Sequence, residues 1–214
     1  MRNDPPSRVA RRYSDLEAKP WVNGLGETVE LVDLEASVGL VEGADAVMSP
    51  APWRLSVARL LGPADFSALP GLHRTFVPVG SRVVLRVDGT DHVIEDRGRL
   101  EFDGSAEVTL VDLDRECRAV NLMSRSGART VAYGPLTAGA VQPDEFAAVA
   151  LDGTASDGSA ISVGEAPRPF DLLVRSADGA GTSGVGTGAG RLGGGESVDL
   201  DAVGVRLPLV LPQV

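Results

Sequence analysis

Residues 82–95 read Arg-Val-Val-Leu-Arg-Val-Asp-Gly-Thr-Asp-His-Val-Ile-Glu. Two short apolar runs, Arg82–Val87 and His92–Glu95, flank the pair Asp88-Gly89. Asp-Gly between such runs signals a β-hairpin, because both central residues of the tight turn need positive φ. The same pattern extends in both directions. Upstream lie Val29–Leu34, Trp53–Leu61 and Thr75–Val79. Downstream lie Glu107–Leu113, Arg118–Met123, Thr130–Tyr133, Phe146–Leu151, Phe170–Arg175 and Val205–Leu211. Gly, Pro and Asp punctuate these runs, and Phe102-Asp103-Gly104-Ser105 repeats the Asp-Gly device. About eleven strands at short intervals predict an all-β sandwich or barrel. No long stretch carries a helical period; only Asp144–Ala150 leaves a short helix open as an alternative.

The chain has 214 residues, 43% of them hydrophobic, enough for a core in one large β domain or two small ones. Its formal net charge is −10, which argues against non-specific binding to nucleic acid or to an anionic membrane. An anionic small molecule remains compatible if arginines converge locally. Cys117 is the single cysteine, so no internal disulfide can form. Met1 to Lys19 has no apolar core of a secretory signal, and no window approaches a membrane span. These features predict a soluble, cytoplasmic chain. The first dozen residues are polar and read as loose. Residues 176–197 are dominated by Gly and read as a disordered loop. Within them Gly184-Val185-Gly186-Thr187-Gly188-Ala189 fits a dinucleotide fingerprint in form, but lacks the strand before and the helix after that give it meaning.

Much familiar chemistry is missing. His73 and His92 are the two histidines, far apart and without a His-x-His pair, so no metal site is expected. No Gly-x-Ser-x-Gly elbow is present. Cys117, between Glu116 and Arg118, reads as a buried structural thiol. The acidic run Asp112, Asp114 and Glu116 lacks the Gly and Glu of a calcium loop and reads as a solvated turn.

Strand alternation then groups side chains by face. Trp53, Leu55 and Val57 share one face, and Arg54, Ser56 and Ala58 the other. Ala119, Asn121, Met123 and Arg125 share a face that mixes amide, thioether and guanidinium. A solvent face rarely chooses Met and a core face rarely chooses Asn and Arg, so this mixture suits a wet, partly apolar cavity. Residue by residue, Arg54 and Arg125 read first as members of surface ion pairs. Trp21 and Trp53 could pack in the core, and Asn23-Gly24 could serve only a turn.

Five blocks carry a family resemblance. Pro20-Trp21-Val22-Asn23-Gly24-Leu25-Gly26-Glu27-Thr28 resembles the "Trp-x-Asn-Gly-Gly-Gly-x-Thr" opening of the HutD/Ves family. Trp53-Arg54-Leu55-Ser56-Val57-Ala58 is similar to its "Trp-Arg-x-Ser-x-Ala" block. Phe66 to Arg74 resembles "Phe-Ser-x-Phe-Pro-Gly-x-x-Arg", and Phe102-Asp103-Gly104 a later "Phe-x-Gly" turn. Val120 to Arg125 resembles "Phe-Asn-Val-Met-x-Arg-Arg". The blocks occur in family order. Leu25, Ala119 and Ser126 depart from the pattern, and the Gly-rich insert is not part of it.

The resemblance implies an all-β, cupin-like bicupin, with two β-barrel or jelly-roll halves in one chain. The division it suggests is a flexible segment over 1–18, an N-terminal half with a candidate pocket over 19–135, and the strands of a second half over 136–214. It also implies a non-catalytic, regulatory accessory of histidine utilisation that needs no cofactor. The ligand expected is a small anionic metabolite, a carboxylate. Arg74 and Arg54 are the candidates to grip it, since a guanidinium gives a carboxylate two parallel hydrogen bonds. Asn121, Ser56 and Asn23 would add neutral hydrogen bonds. Trp53 and Met123 would form an apolar wall, and Arg125 a second cation or gate. Two other readings stay open. One is a cupin-type isomerase or hydrolase, with His73 as the candidate base. The other is a protein-interaction module. A homodimer through strand edges is plausible on the same grounds.

Overall fold

The alternation of apolar and polar residues resolves into strands throughout the computed structural model, which describes residues 7–35, 37, 52–125, 130–136, 145–151, 168–175 and 200–206. In chain order these are β1 (Ser7–Arg11), β2 (Ala18–Pro20), β3 (Gly26–Val32), β4 (Trp53–Leu60), β5 (Ala64–Asp65), β6 (Leu72–Val79), β7 (Val83–Val87) and β8 (Thr90–Ile94). They continue as β9 (Leu100–Asp103), β10 (Val108–Leu113), β11 (Cys117–Arg125), β12 (Thr130–Leu136), β13 (Glu145–Ala150), β14 (Leu172–Arg175) and β15 (Leu200–Arg206). A single turn of 3-10 helix spans Tyr13–Asp15.

The strands form three antiparallel sheets. The central one runs β2-β3-β4-β11-β6-β9, a second runs β5-β10-β7-β8, and a third runs β1-β14-β13-β15-β12. The central sheet is covered on both faces. On one face Trp53, Leu55, Val57, Val77, Val120 and Leu122 pack with Ala147, Val149, Leu172 and Val174 of the third sheet. On the other, Ala58, Leu60, Phe76, Cys117 and Ala119 pack with Val83, Leu85, Val108 and Leu110 of the second. Both faces being covered, β4 and β11 are buried along nearly their whole length, polar residues included, whereas β8 is largely exposed.

Most expected strands are present, and Asp88-Gly89 closes the β7–β8 hairpin with φ of 48° and 82°. The segment 145–150 is a strand, not a helix. Several expectations need correction. Residues 7–11, read as loose, form β1 and pair with β14, because Asp171 anchors the chain just after them. Asp103-Gly104 does not close a hairpin. β9 pairs with β6 in the central sheet and β10 with β7 in the second, so this turn passes the chain between layers. Gly104 is required there: a Cβ on it would lie 2.3 Å from the Leu69 carbonyl oxygen. The last described strand covers 200–206, and residues 207–211 of the expected run lie outside the described residues. β12 pairs along its length with β15 in the third sheet. Finally, two closed barrels are not formed by the described residues. The three sheets are open, and one central sheet serves both cores. The Gly-rich stretch 176–197 lies outside the described residues.

Candidate ligand site

Register brings the polar residues of the central sheet together. Ser56 on β4 lies opposite Asn121 on β11, and Asn121 opposite Phe76 on β6. One row on, Arg54, Met123 and Arg74 lie side by side across the same three strands, with Phe102 of β9 beyond. Glu30 of β3 faces Ser56 from the other side. Residues opposite one another point to one face, here the face that carries Phe76 and Phe102 toward the second sheet. The polar group therefore sits at one end of the core between those two sheets.

Arg74 is its centre. The residue is 9% exposed, and its Nε and Nη2 both donate to Asn121 Oδ1, at 3.1 and 2.9 Å. Asn121, itself buried, donates from Nδ2 to the Ala119 carbonyl at 3.3 Å, which orients the amide. The guanidinium carbon lies 4.6 Å from the centre of the Phe66 ring and 5.5 Å from that of Phe102. Trp21 meets Phe66 edge-on at 6.0 Å and is fixed by its Nε1 donating to Thr28 Oγ1 at 2.8 Å. Gly26 makes room for the indole, since a Cβ there would lie 2.9 Å from it. No carboxylate among the described residues pairs with Arg74. Burial, and next the charge of Arg54, lower its pKa to about 10. At neutral pH it therefore remains a cation, held in place by an amide and by aromatic faces.

Arg54 and Glu30 lie farther out on this face, both partly exposed. Arg54 Nε lies 2.6 Å from Glu30 Oε1, yet its N–H finds no hydrogen-bond partner. Charge holds the pair, and the N–H is not aimed at the oxygen. Lys19 Nζ reaches Glu30 Oε2 at 3.5 Å from the surface. Beside them is an open depression of about 490 Å³ lined by Glu30, Asp33, Leu34, Glu35 and Arg54.

The structure thus brings Arg54, Ser56, Arg74, Asn121 and Met123 to one face. It does not bring the other expected residues there. Trp53 points to the opposite face, fully buried in the core with the third sheet, because it is one residue out of phase with Arg54. Asn23 sits in an exposed turn, where its Oδ1 accepts from the Leu25 amide at 3.0 Å. Arg125 is exposed at the end of β11. His73, next to Arg74, takes the other face and lies 3.6 Å from Glu101 through Nε2. Among the described residues no three His, Cys, Asp or Glu side chains gather as metal ligands, and no helix is long and apolar enough to cross a membrane.

Sequence reasoning missed Phe66 and Phe102 as partners of Arg74, although both open blocks of the family pattern. It also missed Glu30, which strand alternation with Thr28 could have placed.

Cys117 faces the same core at 5% exposure, and burial pushes its thiol up to about 11. A thiol so raised and covered is a poor nucleophile. The folded chain should resist a thiol-reactive dye at pH 8 and label fully in denaturant. Rapid labelling of the folded chain would contradict this placement.

Comparison with known proteins agrees with the geometry. The HutD family model matches residues 13–160. No curated protein matches the chain. Among solved structures, the conserved protein of unknown function PA5104 from Pseudomonas aeruginosa PAO1 has a TM-score of 0.60 at 20% identity, over 94% of this chain and 99% of that one. HutD from Pseudomonas fluorescens SBW25, solved in a formate condition, has a TM-score of 0.57 at 20% identity, over 92% of this chain and 95% of that one. A cupin domain of an XRE-family regulator from Enterobacter cloacae matches 47% of this chain at a TM-score of 0.36 and 11% identity. With five ordered sequence blocks and a family model spanning more than half of its length, this chain belongs to the HutD family.

Proposed function

We propose that this protein is a non-catalytic receptor for a small carboxylate metabolite, serving as a regulatory accessory of histidine utilisation on the two-half cupin plan that its family blocks imply. The observation that carries this reading is Arg74: a buried guanidinium with no carboxylate beside it among the described residues. Burying a charge without a counter-ion is costly. Asn121 holds the fork by its Nε and Nη2 edge, which leaves Nη1 for a ligand oxygen. Arg54 supplies a second cation across Met123, and the hydroxyl of buried Ser56 supplies a neutral group. Membership of the HutD family supports the link to histidine utilisation. The enzyme reading is weaker, because its candidate base His73 points away from Arg74.

Calorimetric titration of the acids of histidine degradation tests the proposal. The wild-type chain should bind at least one of them, and Arg74→Gln should bind it about fifty-fold more weakly or worse, the usual cost of losing one partner of a buried charge pair. No heat with any acid at millimolar concentration, or equal affinity in Arg74→Gln, would overturn the reading.

A further inference from the structure

Arg74 is held by two kinds of contact that leave it different freedoms. Its Nε and Nη2 both donate to Asn121 Oδ1. Two donors that converge on one oxygen set the position of the fork but let its plane tilt about that oxygen. The plane is set by the aromatic ring against it, since the guanidinium carbon lies 4.6 Å from the centre of Phe66. Phe66 in turn needs support. Its amide donates to the Val108 carbonyl at 2.8 Å, which places the backbone and not the ring. The ring itself meets Phe76, with centres 5.9 Å apart, and Trp21, at 6.0 Å and an interplanar angle of 76°.

Trp21 comes from another part of the chain, the turn between β2 and β3. The tip of that turn packs little, since Val22 and Leu25 are exposed. Trp21 itself packs against the core between the central and second sheets. Three features seat it. Its amide donates to the Gly26 carbonyl at 2.9 Å. Gly26 carries no Cβ, which would lie 2.9 Å from the indole. The indole Nε1 donates to Thr28 Oγ1 at 2.8 Å. The first fixes the backbone and the second makes space; the third sets which way the ring lies. Thr28 lies opposite Ala58 of β4, and so faces the same core as Arg74. Thr28, Trp21, Phe66 and Arg74 therefore form one continuous chain of contacts, from β3 to the buried guanidinium.

We infer that Trp21, seated by Thr28, is a positioning residue of the Arg74 anion site: it backs Phe66, and so holds the guanidinium plane with Nη1 directed at the place a ligand carboxylate takes. This rests on the receptor reading above and deepens it. Trp21 and Thr28 act through Phe66 and contribute no bond to the anion themselves.

Acetate and benzoate, two carboxylates of different bulk, are titrated by calorimetry into the wild-type chain and its variants, with thermal melting to show that each is folded. Arg74→Gln should abolish the heat. Thr28→Val keeps the shape and removes the acceptor, and it should weaken binding about three- to tenfold, the span of one net hydrogen bond. Thr28→Ser restores the acceptor and should bind within about twofold of wild type. Trp21→Phe keeps an aromatic body without the donor and should weaken binding as much or more; it carries the test alone should Thr28→Val not fold. Adding Thr28→Val to Trp21→Phe should change nothing further, because the hydroxyl then has no indole to hold. A tryptophan that serves only hairpin stability would lower the melting temperature of these variants and leave affinity in the folded chain unchanged. That result, or additive losses from the two substitutions, with Arg74→Gln still blind, removes the positioning role and leaves the receptor reading standing. If neither carboxylate binds the wild-type chain, or Arg74→Gln binds them as well as it does, both fall together.

Discussion

Asn121→Asp is expected to leave the chain folded, with undiminished stability, and blind to carboxylates. The substitution is nearly isosteric, and it puts a carboxylate where two guanidinium N–H groups already converge on one oxygen, at 3.1 and 2.9 Å. Arg74 is held at a pKa of about 10, well below its ordinary value, by burial first and by the charge of Arg54 second. That depression corresponds to a cost of about 3 kcal/mol in the folded state. The sign follows from the direction. The cost is fully present wherever Arg74 is protonated in both states, that is below about pH 10, and it is relieved only as pH rises through that value. Neutral buffers therefore carry all of it. A bound anion offsets this cost from outside, and Asn121→Asp would offset it from within, against the desolvation of the new carboxylate. The expected outcome is a loss of ligand affinity of about 100-fold or more, with a melting temperature equal to or above that of the wild-type chain. Calorimetry and thermal denaturation read the two arms. A variant that still binds within about threefold of wild type would show that Arg74 is not the anion's contact. A companion test replaces the pair by apolar residues, Arg74→Met with Asn121→Leu. Buried polar pairs exchanged for well-packed apolar groups are often neutral or stabilising by about 1–4 kcal/mol, so stability should hold or rise while binding vanishes.

How far the sequence could be read follows from which physical signals are local. Alternation is local, so the faces of β4 and β11 were legible: Arg54 and Ser56 against Trp53 and Leu55, Asn121 and Met123 against Val120 and Leu122. The Asp88-Gly89 turn was legible because its positive φ values demand those residue types. What was not legible is relational. Phase along one strand says that Trp53 and Arg54 diverge, but not which of the two faces holds the site. The family blocks placed both residues in one motif, and Trp53 was assigned to the pocket although its own alternation put it on the other side. Asp103-Gly104 has the chemistry of a hairpin turn and serves a crossing between layers, because the partner of each strand is chosen by burial far away in sequence. β1 was missed for the same reason. Ser7–Arg11 is polar and short, a poor strand in isolation, and becomes one only through an edge supplied by β14, some 160 residues later.

That edge rests on one buried carboxylate, and its removal should be the largest stability effect in the protein. Asp171 is 1% exposed and gathers three donors. Oδ1 accepts from the Tyr13 amide at 2.9 Å, and Oδ2 accepts from the Arg168 amide at 2.8 Å and from Arg12 Nη1. Its backbone carbonyl also accepts from Ala150, at 3.1 Å. The Tyr13 ring packs 5.4 Å from that of Phe170, so the carboxylate and the ring pair together clasp the entry of the chain to the start of β14. Asp171→Ala leaves a guanidinium and two backbone N–H groups without their acceptor, a loss of about 3–5 kcal/mol by analogy with broken buried pairs. Urea denaturation reads it, and hydrogen exchange should show the amides of Ser7–Arg11 opening before those of β4 and β11. A loss below about 1 kcal/mol would mean that water substitutes for the carboxylate and that the clasp is not structural. The clasp belongs to the third sheet and Arg74 to the opposite face of the central one. Carboxylate affinity measured where Asp171→Ala is still folded should therefore stay within about twofold of wild type, as expected for sites that share no partner. A parallel collapse of binding would instead reveal that the central sheet transmits the state of one face to the other.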